Sequence, residues 1–198
     1  MFVTFEGLDG SGKTTQVELL RRHLEESGRE VVVAREPGGT ELGERIRELL
    51  LHGLDMSAWA EATLFAAARA ELVERVIAPA REGGADVICD RYVDSSLAYQ
   101  GIARGLGLDA VLELNLAAVQ GVLPDRTFLL LVDPATAAGR TGRNPDRIER
   151  EDDDFRARVD AAYREVAERF PERIVPIEAG GSTEEVADLV RGELQLAT

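Results

Sequence analysis

Gly7-Leu8-Asp9-Gly10-Ser11-Gly12-Lys13-Thr14 is the stretch on which the reading of this 198-residue chain turns. It matches the pattern Gly-x4-Gly-Lys-Ser/Thr, and its context fits as well. The apolar run over 2–6 reads as a short buried strand. The stretch 13–27 carries Val17, Leu19, Leu20 and Leu24 at helical spacing and stops at Gly28. A glycine-rich turn between strand and helix lets successive backbone N–H groups point inward as an anion nest, and the helix N-terminus adds its partial positive charge. Lys13 would neutralise the outer phosphates of a nucleotide, and the Thr14 hydroxyl would face Mg²⁺. Of the 23 Lys and Arg residues, Lys13 is the only lysine, so an arginine-biased chain keeps an ammonium at this one position.

Outward from the loop, strands are expected over 30–34, 87–89, 127–132 and 173–177. Helices are expected over 40–51, 57–82, 108–120, 152–170 and 183–194. Strands separated by helices pair in parallel, because the crossover needs a dozen or more residues. The expectation is one domain over 1–198, a three-layer α/β fold of the P-loop NTPase type with a five-stranded parallel sheet. The net charge of −14 disfavours a nucleic acid polymer as partner, since polyanions need a basic footprint. No apolar run approaches the roughly 20 residues of a membrane span. The N-terminus has no basic and apolar segments of a secretion signal. Cys89 is the only cysteine, which suits a reducing, cytoplasmic compartment.

Two further segments sit where an open α/β sheet gathers ligands, at the carboxyl ends of strands. Arg35-Glu36-Pro37-Gly38-Gly39-Thr40 follows the second strand, with Thr40 placed to cap the next helix. Asp90-Arg91-Tyr92 ends the third strand and continues through Ser95-Ser96 to Ala98-Tyr99-Gln100. Asp90 holds the position of a Mg²⁺-associated acid, and Arg91 could bridge donor and acceptor phosphates. The segment 140–150 reverses the local sign of an acidic chain with Arg140, Arg143, Arg147 and Arg150. Its plain reading is a solvated loop; its functional reading is a lid.

Together the loop with Phe5-Glu6 before it, the Arg35–Thr40 segment and the Asp90–Gln100 segment resemble the bacterial thymidylate kinases, in order and over the whole chain. The resemblance implies transfer of the γ-phosphoryl of ATP to dTMP, with Mg²⁺, on the way to dTTP, in a homodimer. It implies an ATP site of Gly7, Leu8, Asp9, Gly10, Ser11, Gly12, Lys13, Thr14 and Thr15, with Thr14 and Asp90 toward the metal. It implies a dTMP site of Asp9, Glu36, Pro37, Arg47, Phe65, Arg69, Arg91, Ser96, Tyr99 and Gln100. In that site Phe65 stacks on thymine and Arg69 meets the base edge. Arg47 binds the phosphate, and Tyr99 stands where a 2′-hydroxyl would project. Asp9, Lys13, Arg91, Arg143 and Arg147 are the implied catalytic set. Gly10 occupies the position where some members carry a basic residue, so the resemblance assigns the catalytic arginines to the lid, with Arg143 and Arg147 foremost.

Other acceptors remain open at this point, as does a regulatory P-loop module that only hydrolyses nucleotide. A GTPase is excluded, because its Asn/Thr-Lys-x-Asp motif needs a second lysine. His23 and His52 have no partner at metal-ligand spacing. The acids at 151–154 read as a helix start, where negative charge complements the dipole.

Overall fold

The computed structural model describes residues 1–140 and 145–195. β1 (Phe2–Glu6) is buried at every position because it is the middle strand of a five-stranded parallel sheet of order β2-β3-β1-β4-β5. The others are β2 (Val31–Arg35), β3 (Asp86–Asp90), β4 (Arg126–Leu131) and β5 (Ile174–Glu178). The helices are α1 (Lys13–Glu26), α2 (Glu41–His52), α3 (Ala58–Leu72), α4 (Ala78–Glu82), α5 (Val93–Ser96), α6 (Leu108–Val119), α7 (Pro134–Arg140), α8 (Asp153–Arg169) and α9 (Thr183–Glu193).

Strand alternation sorts the core into two sides of the sheet. Val3, Phe5, Ile88, Phe128 and Leu130 pack with Val17, Leu20 and Leu24 of α1 and with Val186 and Val190 of α9. Phe2, Val87, Cys89, Leu129 and Leu131 face the other way, toward Leu72, Val111, Val159 and Val166. The expected three layers follow. Thr40, Ser57, Asp152 and Ser182 cap α2, α3, α8 and α9 through their side chains. Among the described residues no helix is long and apolar enough to cross a membrane.

Three local departures from the sequence reading have physical reasons. The single helix expected over 57–82 is interrupted by a π-helical turn, Val73–Ile77. It lies just before Pro79, which has no N–H to donate and crowds the carbonyl of Arg75 one turn back. The stretch after Asp90-Arg91-Tyr92 is helical, α5 running into the π-helical Leu97–Ala103, although its residues show no plain apolar period. α7 is also helical, but it buries only Ala137, too little to show as an amphipathic pattern.

From β1 the chain goes to β2 at one edge of the sheet, and from β3 it crosses to β4 on the far side of β1. A crevice opens at the carboxyl ends of β1 and β3, where those connections diverge. Beneath it, polar side chains tie the sheet together. The Thr4 and Thr127 hydroxyls lie 2.8 Å apart across β1 and β4, and Thr127 donates to Asp94 of α5. Arg173, at the start of β5, grips the same carboxylate through two N–H groups at 2.6 and 2.7 Å. Asp94→Ala would leave that guanidinium inside without a counter-charge, and such losses cost about 3–5 kcal/mol. Urea unfolding of Asp94→Ala is expected to show a loss of that order with little change in slope; a loss under about 1 kcal/mol would mean the pair does not hold these elements.

Candidate active site

The phosphate loop takes the predicted shape because three of its glycines adopt left-handed backbone angles, Gly7 (φ 134°), Gly10 (φ 81°) and Gly12 (φ 96°). Gly10 also lies hard against the backbone carbonyl of Ala137 in α7, so a Cβ there would collide. That contact is a structural reason why this loop carries no basic side chain beside Asp9. Lys13 is folded into the loop, donating to the carbonyls of Leu8 at 2.8 Å and Gly7 at 3.1 Å. Gly7 and Leu8, predicted for the ATP set, therefore hold the lysine from beneath and do not line the crevice; residues 9–15 do. Burial, then the nearby Arg91 cation, depress the Lys13 ammonium to about 8. Asp9, 3.9 Å away, is its nearest counter-charge.

Thr14 donates to Asp90 at 2.7 Å, which puts two hard oxygen donors side by side at the end of β3. The buried Ser11 hydroxyl has no hydrogen-bond partner in the loop. These oxygen donors would suit a hard divalent cation such as Mg²⁺. Among the described residues no group of three or more His, Cys, Asp or Glu could hold a metal unaided.

Arg91 is the centre of the site. It has positive φ (67°), which turns its side chain back over the crevice. It pairs with Asp9 at 2.5 Å and donates to Tyr163 at 2.9 Å and Ser95 at 3.1 Å. Burial opposes ionisation of Asp9, but Arg91 and Lys13 outweigh it and keep the carboxyl below its usual range. Behind Arg91 lies Glu6, which accepts from Tyr92 N, Ser95 Oγ and Tyr163 OH. Burial, with Asp94 nearby, pushes Glu6 up to about 7.

The side of the crevice across from the loop forms between α2, α3 and the π-helical segment. Arg47 donates one N–H to Pro37 O at 2.8 Å and turns the rest of its fork to the crevice. Phe65 packs with Leu51 and Ile148 and presents a half-buried face. Arg69, 1% exposed, sends its N–H groups to Glu36, Ser96, Asn115 and the Tyr92 carbonyl. It reaches the cavity wall with its donors already engaged by protein groups. Glu36 Oε1 is buried and unpartnered beside it. Tyr99, half-buried, lies edge-on to Tyr163 and Phe155 with Arg91 over its ring. One cavity of about 700 Å³ is lined by all ten predicted dTMP residues, by residues 9–15 of the loop and helix start, and by Asp90.

Comparison with known proteins gives the family. A thymidylate kinase family model matches residues 5–190. The chain belongs to the thymidylate kinase family, whose reaction is the phosphorylation of dTMP to dTDP. It is 49% identical over 200 residues to a thymidylate kinase of Bifidobacterium longum subsp. infantis, covering 98% of this chain and 86% of the relative. It is 46% identical over 207 residues to that of Chlorobaculum parvum, covering 98% and 95%. The crystal structure of the thymidylate kinase from Ehrlichia chaffeensis superposes with a TM-score of 0.83 at 35% identity, covering 99% of this chain and 98% of that one.

The arginines expected to act from the 140–150 segment are placed unevenly. Arg143 lies outside the described residues. Arg147 is in place but turned from the crevice: it donates to Glu61 at 2.6 Å and to Leu50 O at 2.8 Å. Arg140, not singled out as catalytic, lines the cavity at the end of α7. Sequence reasoning also missed Glu6, Ser95 and Tyr163 as supports of Arg91, and Glu61. Glu6 was quoted in the motif, but its role depends on Tyr163, 157 residues away.

Lys13→Ala is expected to lower kcat by orders of magnitude without unfolding the chain. Lys13→Arg should be nearly as poor, because a planar fork cannot fold under the loop onto two carbonyls; near-normal turnover of Lys13→Arg would refute that. Glu6 gives a pH test. Its native pKa lies above its ordinary 4.5, so the native state retains a proton that the unfolded chain releases, and stability falls as pH rises from about 4.5 to about 7. Glu6→Gln removes that component, since the Ser95 and Tyr163 hydroxyls can turn to meet an amide. Its melting temperature relative to the native chain should climb between pH 5 and pH 7.5; parallel curves would place the titration elsewhere.

Proposed function

We propose that ATP, with Mg²⁺, is the phosphoryl donor and that the reaction is an in-line transfer across the β1–β3 crevice. The observation that carries this reading is the single cavity joining the phosphate loop to the acceptor chamber, with Arg91 and Asp9 between them. Positioning and charge stabilisation do most of the work in such transfers. Residues 9–15 hold the donor phosphates, with Lys13 lifting from the Gly7 and Leu8 carbonyls onto the outer ones. Thr14 and Asp90 hold the cation, which when bound spreads the phosphate charge. Arg47 takes the acceptor phosphate, Phe65 stacks on the base, and Ser96 and Gln100 meet its polar edge, with Arg69 and Glu36 bracing that wall. Asp9 receives the acceptor sugar. Arg91 spans from Asp9 toward both phosphates and neutralises the group in flight.

The lid is assigned to 140–150, with Arg143 and Arg147 as its catalytic arginines on the family resemblance. The described placement favours an anchoring part for Arg147, since Glu61 and Leu50 already engage it. A homodimer is supported by the exposed apolar side chains Leu42, Leu49 and Trp59 on neighbouring helices α2 and α3. A cytoplasmic setting is supported by the single buried thiol, Cys89.

The test is a nucleoside monophosphate panel with ATP-Mg²⁺, extended to sugar selectivity. dTMP should be the best acceptor and ribothymidine monophosphate far poorer, because Tyr99 occupies the wall where a 2′-hydroxyl would project. Tyr99→Ala should narrow the kcat/KM ratio of the two at least about tenfold, the scale of one steric or mispaired contact. An unchanged ratio would put the sugar elsewhere, and ATP hydrolysis indifferent to dTMP would overturn the reading.

A further inference from the structure

Glu61 has no part in the site as described so far, yet it is among the most enclosed charges of the chain, 1% exposed on α3. It lies one turn before Phe65, on the wall behind the acceptor chamber. Four donors converge on its carboxylate. Arg104 forks onto both oxygens at 3.2 Å, Arg147 reaches Oε2 at 2.6 Å, and Gln100 Nε2 reaches Oε1 at 2.9 Å. Arg104 is itself held by Glu151, and Arg147 by the Leu50 carbonyl. Burial works against the charge, but Gln100 and the two arginines overcome it and keep the Glu61 pKa below its usual range. Glu61 is therefore an ionised group that only accepts hydrogen bonds.

This has a consequence for Gln100. A glutamine amide offers an acceptor and a donor, and a half-turn about its last torsion exchanges them. Against a fixed carboxylate only one orientation is stable, with nitrogen toward Glu61. The reversed amide would set its carbonyl oxygen against the carboxylate and leave a buried acceptor unpaired, a costly arrangement. What remains for the chamber is Gln100 Oε1, which has no protein partner among the described residues, and the second N–H.

Pyrimidines differ at the edge that such an amide can read. Thymine and uracil present an N3–H donor beside a keto oxygen. Cytosine presents an N3 acceptor beside an amino donor. A freely turning amide pairs with either edge. An amide held nitrogen-inward offers oxygen to N3–H and N–H to the keto group, and it meets cytosine donor to donor and acceptor to acceptor.

We propose that Glu61 is a positioning residue that locks the Gln100 amide and so makes the acceptor chamber select keto pyrimidines over amino pyrimidines. The proposal rests on the reading above that the base lies against Gln100 and Phe65. The Arg104 and Arg147 clamp keeps the carboxylate charged and stationary. Because Arg147 belongs to the 140–150 segment, the clamp also ties the carboxyl end of that segment to the base-reading wall.

The experiment is steady-state kcat/KM with ATP-Mg²⁺ for dTMP, dUMP and dCMP on the native chain, Glu61→Gln and Gln100→Leu, each checked for folding by its melting temperature. Glu61→Gln keeps the shape but can turn either end of its amide to Gln100, freeing that group to flip. The expected result is a dTMP:dCMP ratio reduced at least about tenfold in Glu61→Gln, with the dTMP:dUMP ratio within about twofold of native. The 5-methyl group is not read by the amide, and general destabilisation would lower all three acceptors together. Gln100→Leu should weaken dTMP use and collapse the keto–amino ratio. If Gln100→Leu collapses the ratio and folded Glu61→Gln leaves it native, Gln100 reads the base unaided and the proposal is overturned. If Gln100→Leu leaves the ratio native, the base is not at Gln100, and the placement of the acceptor fails with it. Should Glu61→Gln prove too unstable to assay, Glu61→Gln with Arg147→Met removes one charge of each sign and decides the same ratios.

Discussion

A carboxylate cut off from water has to be surrounded by donors, and Glu6 meets that demand where the molecule does its work. It ends the central strand immediately before the phosphate loop. Its oxygens draw in the Tyr92 backbone, the Ser95 hydroxyl and the Tyr163 phenol. Those groups come from the turn after β3, from α5 and from α8, so one acidic side chain fixes several parts of the fold against each other. Ser95 and Tyr163 in turn hold Arg91, whose other hand is on Asp9 in the loop. The aim of Arg91 into the crevice thus depends on a carboxylate that never reaches it. Burial raises the Glu6 pKa because the same enclosure that makes it a firm anchor makes its charge costly.

The acceptor wall repeats the device. Glu36 holds Arg69, and Arg69 spends its donors on Ser96, Asn115 and the Tyr92 carbonyl, so a fully buried cation braces the surface the base would meet. Glu61 does the same for Gln100 with the aid of Arg104 and Arg147. Paired buried charges of this kind add little net stability compared with apolar packing, but they fix direction. In a chain of net charge −14, Lys13, Arg69 and Arg91 of the crevice each lie against an acid, Asp9 or Glu36.

Much of this was legible in the chain itself, for reasons of range. A phosphate loop is a local object: its glycines, lysine and threonine act within eight residues, so Gly7 to Thr14 declared the turn, the helix start and the ligand class. Strand and helix periods gave the layers, and the short segments at strand ends, Arg35–Thr40 and Asp90–Gln100, marked the rim of the crevice. The helical nature of 97–103 and of α7 stayed hidden. The first follows no apolar period of 3.6, and the second buries a single alanine. The residues that the resemblance implies for the acceptor all line one cavity.

The sequence by itself determined the fold class and the loop chemistry, because both are written in residues close together in the chain. Only the tertiary structure decided the partners of the buried charges. Nothing near Glu6 in sequence points to Tyr163, and nothing near Glu61 points to Gln100, Arg104 or Arg147, which are 39, 43 and 86 residues away. Arg147 shows the difference most plainly. In sequence it is one of four arginines in a basic segment, equal to its neighbours. In space a buried carboxylate on α3 claims it, because a charge inside a protein must find its opposite and the packing of α2 and α3 puts that opposite within reach.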